Sequence, residues 1–507
     1  MTAAGPTTPI LVGIGQAADP IDAADYHRWS AVDLAADSAR KALADAGLAA
    51  SSIDTVVGIR QFETSTPWST APLGRSSNYP RAVAARIGAE PRRAVLEVCG
   101  GQGPQHLVTE LAKAVATGAA GTVLLVGSEA ISTSRAWAGR PDAPDFTEEV
   151  EGELEDRGYG LEGLTSRYEA DTGLISAAPQ YALLENARRD RLGLTRDEYA
   201  DRMGRLFAPF TTVAAKNPYA AAPVERTAAE LMTITERNRL IADPYPRFVV
   251  SRDQVNQSAA VLMTSVGAAR AAGIPPEQWV FLHGYADLRE RTLLERPDLS
   301  CGPASQRAAA TAIARAGDGP DEVDLLDLYS CFPIAVLNIC DGLGLADDDP
   351  RGLTLTGGLP FFGGAGNNYS THAIVEAVAG VRARPGARAF VGANGGLLSK
   401  YSAAVYSAEP RAFEVWTDDE AQAQVDAATA PALTERYDGP ATVETYTVTN
   451  GRDGMTGIVV ARTPDGVRTL GATTPGDEDS VAALMAERPF GTPVAITAGE
   501  QRNTARL

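Results

Sequence analysis

The sequence predicts an α/β protein made of two copies of one α/β/α half, with a helical insertion between the copies and a small β-barrel after the second. Three observations carry this reading. A helix–glycine–strand segment occurs twice. A glycine-rich turn that leads into a helix and then a strand also occurs twice, each time behind the first segment. Beyond about Pro410 the pattern changes to short alternating strands with turn signals between them.

The first repeat spans 38–57 (SARKALADAGLAASSIDTVV) and 307–326 (RAAATAIARAGDGPDEVDLL). Each copy is an alanine-rich amphipathic helix that stops at a glycine, Gly47 or Gly317, which takes the left-handed cap conformation at little cost. An aliphatic run beyond Asp54 or Asp324 then enters a buried strand. In the second repeat, Gly100-Gly101-Gln102-Gly103 precedes a helix over His106–Thr117 and a strand over Thr122–Val126. Gly363-Gly364-Ala365-Gly366 precedes a helix over His372–Val381 and a strand over Arg388–Val391. The copies, about 10–130 and 250–410, imply two stacked α/β/α halves. Strands alternating with helices predict largely parallel sheets, buried on both faces.

The stretch between the halves differs. Residues 142–160 are acidic and poor in apolar side chains, and helices follow over Gln180–Arg191 and Arg196–Leu206. They read as an insertion capping the core, with the charge run as a solvated loop. After Pro410, segments 441–449, 455–463, 467–474 and 493–497 alternate as strands, with Asn450-Gly451 and Pro464-Asp465-Gly466 as hairpin turns. They predict a small barrel of the oligonucleotide-binding type, without the basic-aromatic face that binds single strands. The units are 1–132, 133–245, 246–410 and 411–507.

With 507 residues the chain exceeds one compact core, and its 44% hydrophobic share is ordinary for a soluble globular protein. No apolar run reaches the roughly 18 residues of a membrane helix, and Met1–Pro9 does not read as a signal peptide. These features predict a cytoplasmic protein. A net charge of −19 argues against nucleic acid as a partner. Lys41, Lys113, Lys216 and Lys400 are the only lysines, so any phosphorylated ligand must be met by arginine and backbone amides. Cys99, Cys301, Cys331 and Cys340 form no CxxC pair, which excludes a zinc ribbon or dithiol motif.

The segments in order resemble the thiolase superfamily. Leu96–Gln105 (LEVCGGQGPQ) looks like the nucleophile segment, where a cysteine precedes Gly-x-Gly-x-Gln. Val255–Ala260 (VNQSAA) resembles the Asn-Asp-Gly-Ala-Ala segment. Tyr329-Ser330-Cys331-Phe332 stands where thiolases carry Asn-Glu-Ala-Phe and the sterol-carrier type carries His-Asp-Cys-Phe. Gly357–Gly364 resembles the run into the Gly-His-Pro motif, and Gly392–Gly396 (GANGG) lies at the Cys-x-Gly motif. The resemblance implies a five-layered αβαβα core, and the extra barrel is similar to that of thiolase-like proteins often called acetyl-CoA acetyltransferases.

The family chemistry uses a thiolate at a helix N-terminus, a histidine that activates it, a second cysteine that moves the α-proton, and an oxyanion site. Here the motif places the nucleophile at Gly100, while counting back from the following strand places it nearer Gly101. Cys99 serves only if the turn is rearranged; otherwise it is a strand-end core thiol. The histidine position falls on Gly364; His372, at the start of the next helix, is either a replacement base or a helix-start residue. Ala393 stands at the second cysteine. Cys331 and Tyr329 are pocket candidates or core residues. Gly100, Gly101, Gly103, Ser258, Gly363, Gly364, Asn394 and Gly395 are the positions expected to cradle the ligand.

The ligand implied is coenzyme A or an acyl-CoA, with no other cofactor and no metal. The function implied is acyl-CoA binding in fatty-acid or sterol metabolism, as an acyltransferase with an altered site. A non-catalytic acyl-CoA or lipid carrier and a retro-aldolase using tyrosines stand as alternatives. Family resemblance allows a homodimer through the core sheet, and the fused barrel allows a monomer.

Overall fold

The computed structural model describes residues 4–451 and 454–507, so part of the Met1–Pro9 segment lies outside the described residues. The first half contains β1 (Pro9–Ala18), α1 (Ala31–Ala46), β2 (Thr55–Gly58), α2 (Tyr79–Ile87), β3 (Arg93–Leu96), α3 (Gly103–Ala116) and β4 (Val123–Ala130). The insertion contains α4 (Ile131–Trp137), β5 (Glu155–Asp156), α5 (Arg167–Asp171), α6 (Ala177–Arg191), α7 (Arg196–Lys216), α8 (Ala228–Met232), β6 (Leu240–Ala242) and β7 (Tyr245–Pro246). The second half contains β8 (Asn256–Ser265), α9 (Val266–Ala271), β9 (Val280–Arg289), α10 (Pro303–Ala316), β10 (Leu325–Leu328), α11 (Pro333–Leu343), α12 (Tyr369–Ala383), β11 (Ala389–Gly395) and β12 (Lys400–Ser407). The C-terminal unit contains α13 (Asp419–Asp426), β13 (Gly439–Gly451), β14 (Gly454–Arg462), β15 (Arg468–Ala472), α14 (Glu478–Leu484), β16 (Pro493–Thr497) and β17 (Asn503–Arg506).

The duplication read from the sequence is physical. Helices α1 and α10 end at Gly47 and Gly317, whose φ values of 63° and 82° are left-handed. Each helix lies directly on a glycine-bearing strand. A methyl group at Gly15 of β1 or Gly284 of β9 would run into the backbone carbonyl of Ser38 or Ala312. Helices α3 and α12 touch each other and strands of both halves, so they form the middle layer of five, with α1 and α2 outside one sheet and α10 and α11 outside the other.

The sheets are mixed rather than largely parallel. The strand order β10-β11-β12-β9-β1-β8-β4-β2-β3-β5 runs through both halves, joined by a short β1–β9 pairing. Parallel pairs flank the two ends (β10–β11, β4–β2, β2–β3), but β12, β9, β1 and β8 pair antiparallel. The reason is connection length. The link from β11 to β12 spans only 396–399 and cannot carry the crossover that a parallel pair needs. The edge of β3 is covered by the two residues of β5, within the acidic run.

The C-terminal strands close a five-strand ring, β13-β14-β15-β17-β16, back to β13. The turn at Pro464–Gly466 forms, with Gly466 at φ 78°. Asn450 and Gly451 instead pair with Met455 and Gly454 inside the ladder, and the connection between them lies outside the described residues. The insertion contributes to this sheet, because β6 pairs with β13 through Ala242 and Thr449. Among the described residues, no helix is long and apolar enough to cross a membrane.

Buried charge welds the barrel to the core. The Arg468 side chain is fully buried and donates to the carbonyls of Leu294 and Arg296 at 2.7 and 2.6 Å, while its Nε donates to Glu444 at 2.9 Å. Replacing Arg468 with methionine strands two carbonyls in the interior and leaves Glu444 with Arg462 as its remaining partner. We expect Arg468→Met to lower the unfolding free energy by about 3–5 kcal/mol in urea denaturation; a change below about 1 kcal/mol would contradict this account of the seam.

Candidate functional site

Strand β3 ends at Leu96, and the chain turns through Cys99-Gly100-Gly101 before α3 begins at Gly103. Cys99 is therefore not at the helix N-terminus, where the dipole would favour a thiolate. Its amide donates to the Tyr159 carbonyl at 3.0 Å and its thiol to the Ser65 carbonyl at 3.0 Å. Burial pushes this thiol above its ordinary pKa, only partly opposed by the Ser65 contact and the charges of Arg60 and Lys400.

The two positions at which the motif could seat a nucleophile are closed. Gly100 has φ 145° and donates its amide to Asn367 Oδ1 at 2.9 Å. A side chain there would meet the Gln102 carboxamide, and a side chain at Gly101 would meet the Tyr329 hydroxyl and, at 2.6 Å, the Asn394 carbonyl. Gly395 also faces the Gln102 amide, whereas Gly103 has room around it and binds the Gly100 carbonyl through its amide at 2.9 Å. Tyrosine and glutamine thus occupy the volume a reactive side chain would need.

Tyr329, Cys331, Asn394, Gly101 and Gly395 come together here, with the first two at 7 and 8% exposure. Asn394 Nδ2 donates to Tyr181 Oη at 2.7 Å and reaches Cys331 Sγ at 3.7 Å. Burial raises the Cys331 thiol to about 12 and raises the Tyr329 phenol above its ordinary range. Tyr369 stands edge-on to Tyr329 at 5.4 Å and binds Asp327 and Thr356, at 3.1 and 2.6 Å. Two acceptors in this cluster, Gln102 Oε1 and Asn394 Oδ1, have no hydrogen-bond partner among the described residues.

His372 lies elsewhere. It is fully buried on α12, its Nδ1 meets Gln16 Oε1 of β1 at 2.5 Å, and its ring packs on Phe362 at 5.0 Å. Burial lowers its pKa to about 3, so the ring is neutral. Ser258 faces the outer layer, bonded to Ser38 of α1 at 2.6 Å and to the Gly127 carbonyl at 2.8 Å. Gly363 packs against Val255 and Gln257, and the Gly364 amide donates to the Arg252 carbonyl at 2.7 Å. Among the described residues, no cluster of three or more His, Cys, Asp or Glu side chains is placed to hold a metal ion.

Sequence reasoning missed three parts of the site. Asn367 bonds Gly100, the Arg60 carbonyl at 2.8 Å and Ser65 Oγ at 2.9 Å, linking the halves. Tyr181, from the insertion, stacks on Phe332 at 4.5 Å and carries no motif. The third is a groove of about 830 Å³ between the insertion and the second half, lined by Arg226, Arg237, Arg239, Arg247 and Arg252 among apolar residues such as Ile241, Phe248 and Phe361. None of these five arginines makes an ion pair among the described residues, although the chain is strongly acidic. Burial lowers the Arg252 pKa, and the neighbouring charges of Arg247 and Arg226 lower it further, opposed in part by Asp253. One groove residue, Ser251, donates its amide to the Cys331 carbonyl at 3.0 Å, so the groove wall adjoins the buried cluster. The signal for the groove was the arginine-for-lysine bias; its assembly from residues 226–252 was not readable.

Residues 420–501 match the family described as the thiolase-like protein type 1 additional C-terminal domain. Among solved structures, the chain is similar to a monomeric SCP2-thiolase like protein type 1 from Mycobacterium smegmatis, 47% identical over 99% of this chain and 100% of that one, with a TM-score of 0.85. It shares its fold with an Ltp2-ChsH2(DUF35) aldolase, 20% identical over 79% of this chain and 98% of that one, TM-score 0.57. It also shares it with an acetyl-CoA acetyltransferase from Syntrophomonas wolfei, 15% identical over 79% of this chain and 99% of that one, TM-score 0.55. No curated protein sequence matches the chain.

Two outcomes are expected from this geometry. Gly101→Ala forces a methyl group against the Tyr329 hydroxyl and is expected to cost about 1–3 kcal/mol of stability, part of which Tyr329→Phe restores in the double variant. Strict additivity of the two changes would argue against the contact. Because the Cys99 thiol is raised, its alkylation by iodoacetamide is expected to be slow at neutral pH and to keep rising beyond the pKa of about 8.5 of an ordinary thiol. A rate already level near that pH would show an activated thiolate instead.

Proposed function

The chain belongs to the SCP2-thiolase-like proteins of type 1, and from that premise we propose that it binds an acyl-CoA in the arginine groove without thiolase-type transfer through Cys99. The observation that carries the proposal is the set of five unpaired arginines facing one groove. Asp253 is the one carboxylate of the groove lining and pairs with Arg135, and like charges in such excess are unfavourable unless a polyanion neutralises them. The phosphates of coenzyme A provide such an anion, and guanidinium forks match phosphate geometry. Ile241, Phe248, Val250 and Phe361 offer apolar surface between the charges, suited to a ligand with both phosphorylated and apolar parts.

The same observations weigh against transfer chemistry. The thiols of Cys99 and Cys331 are held protonated by burial, and the neutral imidazole of His372 is bonded to β1. Both tyrosines that a lyase would use, Tyr329 and Tyr369, are pushed above their ordinary pKa by burial, so neither ionises near neutral pH. Binding without turnover is the activity these residues support, and the free thiols of Cys99, Cys301, Cys331 and Cys340 favour the reducing cytoplasm.

Isothermal titration with coenzyme A, palmitoyl-CoA and free palmitate tests this. Saturable binding of both coenzyme A and palmitoyl-CoA is expected, with Arg239→Gln and Arg252→Gln each weakening it by about tenfold and free palmitate binding far less. Intact mass after incubation with acetyl-CoA is expected to show no adduct. An acyl adduct lost in Cys99→Ala would restore the acyltransferase reading, and affinity untouched by both arginine variants would remove the groove as the site.

A further inference from the structure

We infer that the C-terminal barrel positions the arginine groove, acting through the β6–β7 hairpin. This inference rests on the ligand reading given above. Arg239 precedes β6, Ile241 lies on it, and Arg247 and Phe248 follow β7, so the open end of one short hairpin supplies much of the groove wall. The Arg247 amide donates to the Arg239 carbonyl at 2.9 Å and closes that end.

The opposite end is held by the barrel. The Asp243 amide donates to the Val448 carbonyl at 2.8 Å, and the Asp243 carbonyl accepts from Thr447 Oγ1 at 2.9 Å and from Asn186 Nδ2 at 3.0 Å. The Asp243 carboxylate pairs with Arg196, whose other amino group donates to Tyr446 Oη of β13 at 2.7 Å. Every polar group of this turn residue is thus engaged, and Asp243, Thr447 and Asn186 are all buried. The hairpin also reaches the buried cluster, since Tyr245 packs at a tilt on Phe332 at 5.1 Å and donates to Glu185 at 2.8 Å.

The two ends differ in what fixes them. Arg239 and Arg247 are exposed, carry like charges and make no ion pair among the described residues, so at the groove end only bonds from backbone amides tie them, Arg247 to the Arg239 carbonyl and the Phe248 amide to Asn238 Oδ1 at 2.8 Å. The buried clamp on β13 fixes the hairpin that carries both arginines against the barrel and so sets where they stand in the groove. Preorganisation of this kind lowers the ordering cost of binding and shows as affinity. Asp243 and Thr447 are accordingly positioning residues: they touch no ligand and act through the hairpin on the two arginines.

The test uses the full-length protein and coenzyme A as probe. Thr447→Val removes one hydroxyl bond to the hairpin with little change of volume, and Asp243→Ala removes the ion pair. The expected result is affinity weaker by about threefold and about tenfold respectively, with Thr447→Ser binding like the wild type. Both weakened variants are expected to show a flatter dependence of Kd on salt, because fewer arginines engage phosphate, and faster amide exchange at Arg247. A merely destabilising change would leave the salt dependence of the folded protein unaltered. If Asp243→Ala does not fold, Thr447→Val decides. Wild-type affinity and salt dependence in Thr447→Val, measured against normal wild-type binding, overturn the positioning role alone. A wild-type protein that binds no coenzyme A overturns the ligand reading and this inference with it.

Discussion

Asn367 holds the two halves together where their loops meet, and the character of the site follows from that contact. Its side chain accepts from the Gly100 amide and donates to the Arg60 carbonyl and to Ser65, the residue whose carbonyl receives the Cys99 thiol. The loops before α3 and α12 are thereby fixed against each other in the middle layer. With that geometry set, Gly101 lies against Tyr329, Gly395 lies against Gln102, and no larger side chain has room at either place. The turn that resembles a nucleophile segment has become a packing surface.

Burial and charge then separate two environments a short distance apart. Inside, desolvation dominates: Cys99, Cys331, Tyr329 and Tyr369 are all shifted toward their protonated forms and His372 toward its neutral one. Outside, the groove concentrates unpaired guanidinium groups on a chain whose net charge is −19. A protein with few lysines and many carboxylates could neutralise each arginine locally, as it does for Arg135 with Asp253 at the groove rim. Leaving the remaining five unneutralised concentrates the attraction for a polyanion in one place.

The insertion and the barrel behave as one unit. Strand β6 from the insertion lies beside β13 of the barrel, and Arg189, Arg196, Asn186 and Tyr446 knit them through buried hydrogen bonds. Arg468 repeats the arrangement on the other side, binding carbonyls of the second half. These are long-range contacts between residues hundreds of positions apart. No local pattern encodes them, which is why the barrel reads from sequence as an appendage.

Much of the architecture was legible because it rests on local rules. The glycine caps at Gly47 and Gly317, the alanine-rich helices that end at them and the barrel strands each declare themselves within a few residues, and repetition doubled the signal. Sheet direction was not legible, since it turns on connection length around β12, a strand the alternation of strands and helices did not reveal. At the site, the sequence by itself determined that Gly100 and Gly101 carry no nucleophile and that Ala393 replaces a cysteine. Only the tertiary structure decided what fills those places, which way His372 and Ser258 face, and that five arginines from separate turns share one groove. The reason is physical: conformation follows from a residue and its neighbours, whereas burial, pKa and the partner of a charge depend on residues distant in the chain that folding brings into contact.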